Sequence, residues 1–122
     1  ANFSNYGQWV TLSAPGQNLR STLPTSPTVL NPTGTPYGTL STSSGAAAQV
    51  AGAIALIRSS FPGITLPVLY QHLVQSADDL GPTGRDPMFG AGRLNTLRLV
   101  TQLNPNRVTT NSFQRTGNTP FF

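Results

Sequence analysis

The chain has no cysteine, no lysine and no glutamate, and a single histidine, methionine and tryptophan in 122 residues. Without cysteine there is no disulfide framework, no thiolate nucleophile and no thiolate metal centre. Charged residues make up 8%, against about 25% in ordinary soluble domains. The seven cations are arginines, spread from Arg20 to Arg115, and they leave a formal charge of +4. They form no basic patch with interleaved aromatics, and no phosphate-cradling G-x-x-x-x-G-K-[ST] loop is present, so nucleic acid is not expected as a partner. The only acids are Asp78, Asp79 and Asp86. No His/Asp grouping has metal-ligand spacing, and an adjacent pair such as Asp78-Asp79 is not a calcium site by itself. No apolar run approaches the roughly 20 residues of a membrane span, and no signal or transit peptide is present.

What is there is alanine, serine, threonine, glycine and proline. The length suits one modest domain. Charge this sparse fits a chain with much of its surface against a partner, or a neutral extracellular surface. Trp9 to Ala14 alternates in character and reads as a strand stopped by Pro15-Gly16. Residues 24–36 carry Pro24, Pro27, Pro32 and Pro36 without periodicity and read as a loop. Ser44 to Phe61 reads as the central helix, with Ser43 or Ser44 as N-cap, Pro62-Gly63 as the stop, and Val50, Ile54 and Ile57 as its buried stripe. Gly52 and the alanines leave room for close backbone approach. Thr65 caps a second helix running to about Ala77, with Pro67 tolerated in its first turn. Residues 80–92 form a turn region in which Arg85 and Asp86 pair locally. Asn95 caps a third helix that presents Leu97, Val100 and Leu103. Residues 104–122 read as an extended arm ending in Phe121-Phe122, docked on a partner or disordered.

The chemistry is concentrated in Ser41-Thr42-Ser43-Ser44-Gly45-Ala46-Ala47-Ala48-Gln49-Val50-Ala51-Gly52. Small hydroxyl residues feed a tightly packed helix whose first backbone N–H groups have no intrahelical partner. A serine at that junction suits a nucleophile whose reaction develops an oxyanion, because donors and helix dipole already face the charge. Such a serine needs a histidine base and a carboxylate to orient it. His72, flanked by Val68, Leu69, Leu73 and Val74, reads instead as a structural histidine on a packed helix.

These motifs resemble the subtilisin-like serine proteases, whose nucleophile segment runs roughly G-T-S-M-A-x-P-x-V-A-G. Anchored on Val50-Ala51-Gly52, the pattern places Ser44 on the nucleophile, with Ser43 as the rival one position away. Ala1-Asn2-Phe3-Ser4-Asn5-Tyr6-Gly7, then Val10 to Gly16 ending in Ala14-Pro15-Gly16, then Ser21-Thr22-Leu23-Pro24 follow the family's order. Tyr37-Gly38 stands seven residues before Ser44, and Phe89-Gly90-Ala91-Gly92-Arg93-Leu94-Asn95 matches the domain's ending. The resemblance covers residues 1–103. Thr42, Ser43, Gly45 and Ala48 depart from the family's glycine, threonine, methionine and proline.

The resemblance implies an α/β, three-layer fold with a mainly parallel sheet, of which this chain supplies the C-terminal portion and residues 24–36 are an inserted loop. It implies peptide hydrolysis through an acyl-enzyme, with the base, its aspartate and an oxyanion-hole asparagine on an N-terminal portion of the same domain. Leu40 and Gly45 are then expected to line the leaving-group side of the cleft, which the missing methionine side chain opens. No cofactor is evident; calcium is a family possibility for which no ligand can be named. The location implied is extracellular, cell-surface or periplasmic. The alternative is a catalytically inactive domain reused as a structural or binding module. On either reading the chain alone has a sheet edge and a helix face unpaired, and a sharp two-state melt of the isolated chain is not expected.

Overall fold

A computed structural model describes residues 1–29 and 31–102. The element order is β1 (Leu19–Thr22), β2 (Tyr37–Leu40), α1 (Ser43–Ser60), α2 (Leu66–Gln75) and α3 (Thr96–Thr101). The α/β class expected from the sequence holds, as a partial unit of three helices and a small sheet. Leu103 and the arm expected over 104–122 lie outside the described residues. Among the described residues no helix is long and apolar enough to cross a membrane.

Helix α1 takes its length from an alanine-rich run without an internal proline. It ends at Phe61, whose N–H donates to the Ile57 carbonyl at 2.8 Å, just before Pro62 and Gly63. Its N-cap is Thr42, not Ser43 or Ser44. Thr42 keeps an extended backbone (φ −164°, ψ 148°) and its hydroxyl accepts the Ser44 N–H, while the two serines already have helical geometry. An extended backbone suits a β-branched residue, and a threonine oxygen two residues upstream is well placed to take an orphan donor.

The core sits under the C-terminal half of α1. Ile57 and Leu99 are fully buried, with Ala53, Leu69 and Leu73 beside them and Leu12, Val50, Ile54, Ile64, Leu94 and Val100 packed around. The expected stripe is therefore present, with Ile57 deepest and Val50 and Ile54 at its margin. On α3 the inward residue is Leu99 and not Leu97, which is 73% exposed. The Asn95 side chain caps Arg98 N–H at 2.9 Å, and Arg98 reaches the Ala77 carbonyl and Asp78, which turns Leu99 toward α1. Helix α2 stops at Gln75, two residues short of the sequence expectation, because Ser76 and Ala77 N–H groups bond back to His72 and Val74 carbonyls. Gly52 is exposed, with nothing near its Cα to exploit the missing side chain.

Trp9 to Ala14 is not a continuous strand. Leu12 makes a single antiparallel bridge to Gly90, and Ser13 a single parallel bridge to Arg93. The neighbouring chain turns too sharply to run alongside: Gly90 (φ +65°) and Gly92 (φ +122°) sit in the region that disfavours side chains. A Cβ on Gly90 would also stand 2.5 Å from the Thr11 carbonyl oxygen, so glycine is what lets the two backbones touch.

The sheet is an antiparallel hairpin in the register Leu19↔Leu40, Arg20↔Thr39, Ser21↔Gly38 and Thr22↔Tyr37. Its connection contains the loop over 24–36, which is built around the buried side chain of Asn31. The Asn31 amide donates to the Pro24 and Thr35 carbonyls, both at 2.8 Å, while its Oδ1 accepts from the Thr33 and Thr35 hydroxyls. Pro24, Thr33 and Thr35 thus close over one amide that uses its full bonding capacity.

The expected Arg85–Asp86 ion pair does not form. Buried Asp86 accepts the Met88 and Phe89 N–H groups through Oδ1 at 2.6 and 3.0 Å, and Arg85 reaches away to the Gln8 and Val10 carbonyls. Two backbone donors just ahead satisfy Oδ1, while Oδ2 is buried without a hydrogen-bond partner.

Candidate active site

The segment that carries Ser44 is fixed by polar bonds to the turn before β1. Thr42 N–H donates to the Gly16 carbonyl at 2.7 Å and Asn18 N–H to the Ser41 hydroxyl at 2.9 Å. One turn into α1, the Gln49 amide donates to the Pro15 carbonyl at 2.8 Å. Pro15 and Gly16 therefore hold both the last residue before the helix and its second turn. Gln49 was not singled out in the sequence, although a lone polar residue inside the apolar run from Ala46 to Leu56 is the signal that could have found it.

Ser44 is the second residue of α1 and is exposed. No histidine or carboxylate among the described residues is hydrogen-bonded to its Oγ. Its N–H donates to Thr42 Oγ1 at 3.2 Å. Ser43, the rival, is exposed one residue earlier and borders a groove between α1 and the first seventeen residues. The first turn of α1 contains no acidic side chain, so the positive end of the helix is uncompensated there.

Leu40 and Gly45 do come together, with Leu19 between them. An atom added at the Cβ position of Gly45 would lie 2.5 Å from Leu19 Cδ1, 3.2 Å from Leu40 Cδ1 and 3.4 Å from Thr42 Cγ2. The opening expected from a glycine at 45 is therefore absent: Leu19, the register partner of Leu40, fills that room. The hairpin that brings Leu19 there was not legible, because its strands are four residues each and separated by a long loop.

His72 lies on α2, buried, with Nε2 donating to the Leu99 carbonyl at 2.6 Å. A carbonyl only accepts, so Nε2 carries the proton and the ring ties α2 to α3. Asp78 sits where α2 gives way to the following loop. It takes Asn95 Nδ2 at 2.9 Å, Arg93 at 3.1 Å and Arg98 at 3.3 Å. The Asn95 hydrogen bond first, then the Arg93 one and the two positive charges, hold its carboxyl below the usual carboxylate range. Asp79 caps the Gly84 N–H at 2.8 Å. None of these acids is hydrogen-bonded to Ser44, and no three histidine, aspartate or glutamate side chains converge among the described residues.

Sequence and fold together define the class to which this braced helix and hairpin belong. Residues 1–92 match the model of the subtilase family, and the chain belongs to that family. Subtilisin BL of Lederbergia lenta is 35% identical over 95 residues, which are 78% of this chain and 31% of that protein. The thermophilic serine proteinase of Bacillus sp. strain AK1 is 38% identical over 101 residues, 83% of this chain and 22% of that protein. Among solved structures, MycP1 from the ESX-1 type VII secretion system superposes with a TM-score of 0.66 at 29% identity, covering 86% of this chain and 27% of its own. The chain thus spans a third or less of the length of these relatives.

Proposed function

We propose that this chain is the nucleophile-bearing part of a subtilisin-like serine endopeptidase, and that Ser44 is the nucleophile. The observation that carries the reading is an exposed serine at the start of α1, clamped through Thr42 and Gln49 to Gly16 and Pro15. In the reaction, Ser44 Oγ attacks the scissile carbonyl while its proton passes to a histidine. That proton is then delivered to the departing amine as the C–N bond breaks, and water hydrolyses the resulting ester by the same route. The Ser44 N–H stabilises the oxyanion, with Leu40 and Gly45 beside the leaving group.

The base, its aspartate and the second oxyanion donor are assigned to a further portion of the domain. Two features support such a partner. Ala47, Ala48, Ala51, Gly52, Ala55 and Leu56 leave one flank of α1 exposed and without charge. Beside it, an open groove of about 500 Å³ runs between α1 and residues such as Phe3, Trp9 and Met88. A helix apolar on nearly all sides belongs inside a larger unit. The substrate is a peptide or protein, the reading requires no cofactor, and the place of action is outside the cytoplasm, at the cell surface or beyond.

The second reading is a domain that has lost hydrolysis and serves as a binding module. It is favoured by Thr42, whose hydroxyl already holds the Ser44 N–H. Fluorophosphonate labelling of the complete protease, read by mass spectrometry, separates the two. An adduct on Ser44, absent in Ser44→Ala and retained in Ser43→Ala, supports the enzyme. A folded protein with no adduct, or an adduct on Ser43, refutes the assignment.

A further inference from the structure

The Ser44 N–H is the oxyanion donor nearest the proposed nucleophile, and it is not free. It donates to Thr42 Oγ1 at 3.2 Å. The bond lies at the long end of the range for a neutral N–H···O pair. The Thr42 backbone is held at both ends: its N–H donates to the Gly16 carbonyl at 2.7 Å and its carbonyl receives the Ala46 N–H at 3.4 Å. With the backbone fixed at both ends, the hydroxyl can leave the donor by rotation about χ1 alone, without movement of the loop.

Resting on Ser44 as nucleophile, we propose that Thr42 is a positioning residue: its hydroxyl occupies the Ser44 N–H in the free protein and must be displaced as the oxyanion forms. The two acceptors compete for one donor. An ionised oxygen wins, because a charge-assisted hydrogen bond is roughly twice as strong as a neutral one. Winning still costs the capping bond, and that loss falls on the transition state and not on substrate binding. Thr42 therefore exchanges turnover for a stable helix start.

Thr42→Val keeps the shape and the methyl on Gly45 but removes the acceptor. In the complete protease it is expected to raise kcat about two- to tenfold, the equivalent of one neutral hydrogen bond, with KM unmoved. Its melting temperature should fall, since the cap is lost. Thr42→Ser restores the acceptor and should return kcat toward wild type. A residue that only supported the helix would lose activity together with stability. Thr42→Gly, which also lacks the acceptor, replaces the valine variant should that one misfold. Amide exchange of selectively labelled Ser44 gives a readout independent of turnover: slow in wild type and Thr42→Ser, fast in Thr42→Val. Equal exchange in all three, or a kcat that falls in both variants lacking the hydroxyl while Ser44 still takes the fluorophosphonate, overturns the proposal. Wild-type Ser44 that takes no label overturns the proposed function, and the role of Thr42 with it.

Discussion

The two ends of α1 are held by different physics. At the C-terminal end Ala53 and Ile57 pack against α2 and α3, and the local structure is closed by apolar burial within the chain. At the N-terminal end almost nothing is buried: Ser43, Ser44, Ala47 and Ala48 are exposed, and position is maintained by a few polar bonds to the Pro15–Asn18 turn. A packed end gives stability but no access. A pinned end gives an exposed side chain both access and a fixed direction, at the cost of apolar surface left uncovered within the described residues.

The contrast is broken most severely at the packed end. Leu99→Ala removes a fully buried side chain and should cost about 3 kcal/mol or more, read as a fall in the thermal midpoint. At the polar end the largest loss is expected from Asn31→Ala, which strands two carbonyls and two hydroxyls of the hairpin loop. About 2 kcal/mol follows, with protease susceptibility rising first between Pro24 and Pro36. A smaller and more diagnostic effect concerns the wall beside the proposed nucleophile. Gly45→Met should overpack against Leu19, and Leu19→Ala should relieve it; a double-mutant cycle would read a coupling of about 1 kcal/mol, and strict additivity would refute the contact.

The smallest effect is electrostatic. Asp78 is held below the usual carboxylate range, so its contribution is complete above the unfolded value near 4 and disappears as the pH falls through the lower folded value. Wild type and Asp78→Asn should differ modestly in melting temperature at neutral pH, the pairs being partly exposed. The gap should narrow as the pH falls below the unfolded value and close once it is below the lower folded one, whereas a constant gap would place the loss in packing.

Much of this was legible in the sequence, and the parts that were not share a cause. Helix ends announced themselves through Pro62-Gly63, Thr65 and Asn95, because stops and caps are local chemistry. The serine junction was legible for the same reason. The N-cap slipped by one residue because three consecutive hydroxyl residues can each cap, and only the turn at Gly16 selects Thr42. The strand expected over Trp9 to Ala14 became two bridges, since a strand needs a parallel-running neighbour and the chain offers a sharp turn at Gly90–Gly92. The β1–β2 hairpin, and Leu19 with it, depend on a register that fourteen intervening residues conceal. Asp86 chose backbone donors ahead of it over the arginine beside it. Local rules reached the elements and the serine at the start of α1. Contacts made across the chain set the shape around them.

The meeting of Leu19 with Gly45 has a consequence for substitution. A larger residue at position 45 meets the flexible end of Leu19 first, so that side chain must turn aside or be shortened to admit it. The two sites are coupled, although they lie on different elements and twenty-six positions apart. Changes at position 45, beside the proposed nucleophile, are thus tuned by a residue of a separate strand.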